Sequence, residues 1–285
     1  MKRSKITILL AIVLGMTFHS CLDLEPQDQL GGKNMWTSVN DYKQFANTFY
    51  SWTRDFSSVV YDGTHSDKRS DLITYQSYNE FSRGINSIPS SDANYTDNYK
   101  HIRRTNLLLQ NAEAYAKPED IKQYIGEAYF FRAYSYFDLL QLYGDVIITK
   151  KPLDITDPEM KVKRNDRSEV VDLIIDDLNH AVENLPAFKE LTTEEEGRIS
   201  KEGAQAFLSR VALYEGTWQK SRNGNQNTQR SANLLDIAAK AARTVIDAKY
   251  GYTFRLFGTD SETKILGDSA QKYMFILENE KSNPA

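Results

Sequence analysis

The sequence contains few of the residues that build disulfide frameworks, metal centres or rigid loops. It has one cysteine, four histidines and seven prolines among 285 residues. A single cysteine cannot form a disulfide within the chain, and no two histidines fall at the spacing of zinc ligands. A Gly-rich phosphate loop, a G-x-S-x-G motif and an H-E-x-x-H motif are also missing. The sequence therefore predicts neither a metal site nor a cofactor, and it gives no signature of a common enzyme class.

The sequence also lacks clustered positive charge. Acidic residues outnumber basic ones by 39 to 35, and the formal net charge is −4. The pair Arg103-Arg104 lies inside a helical pattern and does not extend into a basic patch. Affinity for phosphate groups needs clustered Lys and Arg, so nucleic acid is excluded as a predicted partner.

The first twenty residues have the layout of a secretory signal. Lys2, Arg3 and Lys5 precede an apolar run over residues 6–16, which is shorter than the roughly 20 residues of a membrane-spanning helix. Four further residues lead to the only cysteine, Cys21. We interpret residues 1–20 as a lipoprotein signal peptide, Cys21 as the lipid anchor and residues 21–33 as a tether. The alternative is a simple secretory signal followed by a coincidental cysteine.

Helical periodicity dominates the chain from residue 34 onward. Apolar residues recur at three- and four-residue steps in six segments, near residues 39–50, 95–116, 118–144, 166–185, 200–216 and 234–248. Their spacing is close to that of tetratricopeptide repeats, in which paired helices stack on their neighbours. The pattern predicts an all-α superhelix of tetratricopeptide-like repeats with one long irregular loop region.

The segment after Pro118 is apolar on nearly all sides and rich in tyrosine and phenylalanine. Such a helix is typical of the centre of a bundle. A ligand platform is the alternative for these rings. We predict that Arg132 and Asp138, which lie inside this segment, are buried structural partners, because a buried charge requires pairing.

About forty residues from Thr53 to Ala93 have no sustained period, and long irregular segments of this kind are often functional. Aromatic rings here alternate with Asp, Asn and Arg, a combination that suits the apolar faces and hydroxyl groups of sugars. The alternative is that the rings pack the loop onto the helices. The candidate ligand-binding residues are Trp52, Tyr61, Asp67, Arg69, Asp71, Tyr75, Tyr78, Arg83 and Tyr95.

Catalysis by a pair of carboxylates, as in glycoside hydrolases, remains a distant alternative. The run Glu194-Glu195-Glu196 is the densest acidic cluster in the chain. It is interpreted as a solvated loop, and the chain is predicted not to be an enzyme.

Several stretches resemble the SusD/RagB family of Bacteroidetes outer-membrane lipoproteins. CLDLEPQD is similar to the start of the mature family members, and NYKHIRRTNLLL resembles their tyrosine–isoleucine–asparagine helix. GEAYFFRAYSYFDLLQLYGDVIIT resembles the most specific block of the family. EVVDLIIDDLNHAVENLP and GRISKEGAQAFLSRVALYEGTW resemble the two blocks that follow. The resemblance extends from the signal to about Tyr250.

The resemblance implies a fold of tetratricopeptide-like helical pairs that support a more irregular ligand-binding part. It also implies a function: capture of glycans, or in some members peptides, for a SusC-like TonB-dependent transporter. The expected location is the outer membrane, lipid-anchored and exposed at the cell surface. Residues 34–285 would form the N-terminal helical-repeat domain of such a protein.

The chain departs from this family in length, because family members are roughly twice as long. We interpret the sequence as lacking the C-terminal half, which predicts poor solubility of residues 22–285 alone, since uncapped repeats expose apolar faces. Two further alternatives remain open: a lipid-anchored scaffold that binds only protein, and a non-functional SusD-like fragment.

Overall fold

A computed structural model describes residues 35–54, 67–70, 72, 80–222 and 228–255. Within these ranges the chain is helical, and the one β-type contact is an isolated antiparallel bridge between Val146 and Asn165. The α-helices of the described part are α1 (Val39–Asn47), α2 (Ala93–Glu113), α3 (Lys122–Tyr143), α4 (Arg167–Asn184), α5 (Lys201–Arg222) and α6 (Thr228–Ile246).

Helix α1 starts at a capping box. The backbone N–H of Ser38 donates to Asp41 Oδ2 at 2.8 Å, and the Asp41 N–H donates to Ser38 Oγ at 3.3 Å. Tyr42 and Phe45 on the inner face are buried. A 3₁₀ turn, Thr48–Trp52, continues the chain and buries Phe49. The predicted first helical segment is therefore confirmed, with its last turn tightened.

Helix α3 is the central element, as its composition predicts. Its buried residues lie on every side of the helix, which leaves no broad solvent face. Pro118 opens a 3₁₀ turn, Pro118–Ile121, and the α-helix follows directly. Gly144 ends α3 with a φ of 73°, a left-handed conformation that glycine adopts without a Cβ penalty.

Helix α4 begins as its capping box predicts. The backbone N–H of Asp166 donates to Glu169 Oε2 at 3.1 Å, and Arg167 is the first helical residue. Ser200 precedes α5, and its hydroxyl accepts the N–H of Gly203 at 3.3 Å. Helix α5 reaches Arg222, beyond the predicted end at residue 216, and α6 begins at Thr228, ahead of residue 234. Both extensions are polar turns, for which apolar periodicity gives no signal.

Each helix from α2 to α6 packs against the next one in sequence. The hydroxyl of Ser209 in α5 donates to the carbonyl of Ala238 in α6 at 2.9 Å, which shows how closely these two helices approach. Sequential nearest-neighbour packing is typical of stacked helical repeats. The predicted all-α, repeat-like fold is confirmed.

Among the described residues, three ion pairs have a carboxylate buried inside this stack: Arg132–Asp177, Arg198–Glu127 and Arg167–Glu215. Arg132 of α3 binds Asp177 of α4 with two hydrogen bonds, of 2.6 and 2.8 Å, and also donates to Asn106 Oδ1 at 2.8 Å. Arg198, ahead of α5, binds both oxygens of Glu127 at 2.8 Å. Burial raises the pKa of Glu127 and of Asp177, while the guanidinium contacts oppose that rise. The ionised form of each buried carboxylate is therefore stabilised by its arginine partner.

The predicted pairing of the charges in α3 is confirmed, and Arg132 is buried as predicted, whereas Asp138 is only partly buried. Arg132 pairs with Asp177, and Asp138 accepts a hydrogen bond from Asn98 Nδ2 at 2.8 Å and forms an ion pair with Arg54. These contacts join α3 to α2, to α4 and to the segment after α1.

Several predictions lie outside the described residues: the signal peptide at 1–20, Cys21, the tether at 21–33, and the candidate residues Tyr61, Asp71, Tyr75 and Tyr78. Among the helices that the structure does describe, none combines the length and hydropathy needed to cross a membrane.

Candidate functional site

A cavity of about 400 Å³ lies between the N-terminal half of α2 and the connection from α3 to α4. Helix α2 contributes Tyr95, Tyr99 and Arg103, which are four residues apart and therefore share one face. The connection contributes the apolar side chains Ile147, Leu153 and Met160. The volume falls within the range of small-ligand pockets, about 300–1,000 Å³, and the walls are mostly apolar.

The wall of the cavity is held rigidly by Tyr99. Its hydroxyl donates to the carbonyl of Ile147 and accepts the N–H of the same residue, both at 2.9 Å. Burial raises the pKa of the Tyr99 phenol, so the group stays protonated and keeps both bonds. Asn106 of α2 also donates to the carbonyl of Thr149, at 3.0 Å. The connection is thus fastened to α2 along its length.

Tyr95 forms the end of the cavity nearest the start of α2. Its ring lies 4.8 Å from that of Tyr99 and meets the ring of Tyr143 edge-on at 5.2 Å. The Tyr143 hydroxyl donates to Asp92 Oδ2 at 2.7 Å, and Asp92 also caps α2 by accepting the N–H of Asn94 at 2.9 Å. The hydrogen bond from Tyr143 lowers the pKa of Asp92. These contacts fix the orientation of the Tyr95 ring.

The polar lining of the cavity is largely basic. Lys100 pairs with Asp97 at 2.7 Å, and Lys151 pairs with Glu159 at 2.8 Å. Arg103 Nε donates to the carbonyl of Leu153 at 3.4 Å. The cavity therefore combines fixed aromatic rings with hydrogen-bond donors, which can bind a polar ligand that has an apolar face.

Of the described candidate residues, the structure places Tyr95 in this cavity. Asp67 and Arg69 form a 3₁₀ turn, Asp67–Arg69, and the Arg69 guanidinium lies over the Phe81 ring, 3.8 Å from its centroid. The charge of Arg69 also contributes to the lowered pKa of Asp92, the residue that caps α2. Arg83 is exposed in the turn that follows Phe81.

Trp52 lies elsewhere. Its ring stacks on His101 with centroids 4.1 Å apart and meets Phe131 edge-on at 5.9 Å. It is not among the residues that line the cavity. These contacts agree with the alternative that the aromatic rings of the loop region pack against the helices. Ligand binding by Trp52 stays a prediction.

Sequence reasoning missed most of the cavity. Tyr99 falls within a predicted helical segment and within the stretch NYKHIRRTNLLL, and no prediction covers the connection that carries Lys151, Glu159 and Met160. A usable signal existed in the four-residue spacing of Tyr95, Tyr99 and Arg103. In the described residues, no group of three or more His, Cys, Asp and Glu side chains is arranged to hold a metal ion.

Residues 22–213 match the SusD-like family described as "Starch-binding associating with outer membrane". Two curated relatives come from Formosa agariphila. SusD-like protein P38 is 28% identical over 233 residues, which is 75% of this chain and 42% of the relative. SusD-like protein P2 is 28% identical over 238 residues, which is 78% of this chain and 45% of the relative. The chain thus spans less than half the length of either relative.

Solved structures share the fold. A SusD-like protein from Bacteroides fragilis superposes with a TM-score of 0.61 at 24% identity, covering 82% of this chain and 42% of that one. A SusD homolog from Bacteroides thetaiotaomicron gives a TM-score of 0.59 at 21% identity, covering 79% and 43%. At these identities the likeness concerns the fold.

Proposed function

Because this chain belongs to the SusD-like family of starch-binding proteins that associate with the outer membrane, we propose that it is a glycan-binding lipoprotein of the outer membrane. The observation that supports this proposal most directly is the family match over residues 22–213, which contains α1 to α4, most of α5 and every residue that lines the cavity. The proposed activity is binding without catalysis.

The proposed binding site is the cavity beside α2. Tyr95 and Tyr99 offer rigid aromatic surfaces, because the Tyr99 hydroxyl is bonded to both the N–H and the carbonyl of Ile147. Flat rings suit the apolar face of a sugar, and the neighbouring lysines and arginine can bond its hydroxyl groups. Asp67, Arg69 and Arg83, with Tyr61, Asp71, Tyr75 and Tyr78, remain proposed as ligand-binding residues on the basis of the sequence.

The proposed location depends on Cys21. After removal of residues 1–20, acylation of Cys21 would anchor the protein, and residues 21–33 would tether the body of residues 34–285 at the cell surface. More than one acyl chain makes such an anchor stable. The proposed partner is a SusC-like TonB-dependent transporter that receives the glycan, or a peptide, from this protein.

Affinity electrophoresis tests the binding proposal. The full chain, expressed in its lipidated form and solubilised in detergent, is run through native gels that contain single polysaccharides. We expect retardation by at least one glycan and a loss of retardation in Tyr95→Ala. Tyr252→Ala is the matched control, because Tyr252 packs on Phe188 and does not line the cavity. Unretarded migration in every glycan gel would support a scaffold that binds only protein.

Labelling with an alkyne fatty acid tests the anchor. We expect the wild-type chain to be labelled and to sediment with outer membranes, and Cys21→Ala to lose both properties. Affinity purification from the same membranes then tests the transporter proposal, which requires a TonB-dependent transporter to copurify with the wild-type chain. A labelled Cys21→Ala variant would contradict the assignment of the anchor.

A further inference from the structure

The cavity beside α2 has a charge opposite to that of the chain as a whole. Its lining contains three cations, Lys100, Arg103 and Lys151, and a single acidic residue, Glu159. The complete chain, in contrast, has 39 acidic residues against 35 basic ones. A locally positive cavity in an acidic protein favours ligands that carry negative charge.

The three cations differ in whether they have a carboxylate partner. Lys100 and Lys151 each have a carboxylate partner within 2.8 Å, namely Asp97 and Glu159. Arg103 forms no ion pair with any residue in the described part of the chain. Its one described hydrogen bond, to the carbonyl of Leu153, uses Nε and is long at 3.4 Å. The two terminal nitrogens of this guanidinium are therefore available to a ligand.

The position of Arg103 relative to the rings matches a sugar that carries an anionic substituent. Tyr99 and Tyr95 lie one and two turns before Arg103 on the same face of α2, and each turn rises about 5.4 Å. A sugar ring against the tyrosines would place a substituent within reach of the guanidinium. A guanidinium binds carboxylate or sulfate oxygens in a bidentate geometry that a lysine does not reproduce.

We propose that this cavity selects an anionic saccharide, with the sugar ring against Tyr95 and Tyr99 and its carboxylate or sulfate group on Arg103. The inference rests on the proposed glycan-binding function and names the class of glycan. In this proposal Arg103 selects the anionic group, and Tyr95 and Tyr99 recognise the sugar ring.

Isothermal titration of the solubilised, lipidated full chain tests this assignment with three probes. They are an oligogalacturonide, the same oligosaccharide after chemical reduction of its carboxyl groups, and a sulfated galactan oligosaccharide. We expect the oligogalacturonide or the sulfated probe to bind at least about tenfold more tightly than the reduced one. The preferred probe identifies the anionic group. The preference should shrink when the salt concentration is raised from about 50 mM to about 500 mM.

Two arginine variants separate the local effect from the change in net charge. Arg103→Gln should lower affinity for the preferred anionic probe by about tenfold and lower affinity for the reduced probe much less. Arg104→Gln removes the same charge one residue along α2, but Arg104 binds Thr48 Oγ1 at 2.9 Å and does not line the cavity. It should therefore bind both probes like the wild type. Arg103→Lys should keep only part of the preference for the anionic probe, because lysine retains the positive charge but not the bidentate geometry of the guanidinium.

The outcomes distinguish this inference from the proposed function. Equal affinity for anionic and reduced probes, unaffected by Arg103→Gln, would overturn the charge selection and leave glycan binding in place. Equal losses in Arg103→Gln and Arg104→Gln would also overturn it, because the effect would then come from net charge. Failure of every probe here, together with unretarded migration in all glycan gels, would overturn both proposals.

Discussion

The indole of Trp52 and the imidazole of His101 stack face to face, with ring centroids 4.1 Å apart and ring planes at 13°. The contact joins the 3₁₀ turn after α1 to the middle of α2. Burial lowers the pKa of His101 to about 4. The neutral imidazole is therefore the form that the folded protein favours.

This stack makes stability depend on pH. The pKa of a histidine in an unfolded chain is about 6.5. Between pH 6.5 and 4 the unfolded chain therefore binds more protons at His101 than the folded protein does, so the free energy of unfolding falls as the pH falls. Below about pH 4 this contribution is constant. His101→Phe keeps an aromatic partner for Trp52 and should flatten that part of the profile in urea denaturation between pH 4 and 7.

The lowered pKa values of Asp41, Asp92 and Glu195 also weaken the protein in acid, so the difference between wild type and His101→Phe isolates the histidine. His180→Phe is the control, because the His180 side chain is 44% exposed. If both variants changed the profile equally, burial of His101 would not be the cause.

The buried pair Arg132–Asp177 should be the most sensitive contact between α3 and α4. Asp177→Asn leaves the Arg132 guanidinium buried without a countercharge, which we expect to cost about 3–5 kcal/mol in urea denaturation. The matched variant Asp172→Asn breaks the pair with Arg230, in which Asp172 is 63% exposed, and should cost at most about 1 kcal/mol. Similar losses in the two variants would contradict this difference.

Replacement of both partners distinguishes the pair from simple packing. A double variant, Arg132→Met with Asp177→Leu, removes both charges and should recover much of the stability that Asp177→Asn loses. A double variant less stable than Asp177→Asn would indicate that the geometry of the side chains, including the bond from Arg132 to Asn106, matters more than the charge.

Two glycines of the helices should respond oppositely to alanine. A Cβ on Gly126 would lie 2.9 Å from the backbone nitrogen of Leu185, and backbone cannot move aside cheaply. We expect Gly126→Ala to cost about 1–3 kcal/mol. A Cβ on Gly203 would meet nothing closer than 3.9 Å, so Gly203→Ala should stabilise the protein by up to about 1 kcal/mol through helix propensity. Thermal melts followed by circular dichroism measure both, and a stabilising Gly126→Ala would show that the helices can separate freely.

The hydrogen bond from Tyr143 to Asp92 should hold the start of α2. Tyr143→Phe removes the donor and should raise the pKa of Asp92 towards its ordinary value, which NMR titration of the carboxyl group measures. A carboxyl group whose pKa is lowered in the folded protein stabilises the fold at pH values above its ordinary pKa, and this contribution is lost in acid. The variant should therefore lose stability mainly near neutral pH, by about 1 kcal/mol. An unchanged Asp92 pKa would contradict the assigned role of Tyr143.

Local sequence decided where the helices lie and how several of them end. Apolar residues at three- and four-residue steps indicated each of the six segments, because an amphipathic helix must bury one face. The box formed by Asp166 and Glu169 starts α4, and Gly144 ends α3, and both signals act within a few residues. The C-terminal end of α5 and the start of α6 were missed because polar turns lack apolar periodicity.

Contacts between distant residues depended on the packing of the helices. Arg132 was predicted to be buried and paired, but its partner Asp177 lies 45 residues away, and no local rule selects it. The cavity likewise forms only because the connection between α3 and α4 lies along α2, held there by the hydrogen bonds between Tyr99 and Ile147. The sequence of this connection is irregular and shows no periodicity. Periodicity specifies a face for each helix, whereas the distances between faces are set only where residues of different elements meet, as Leu185 does with Gly126.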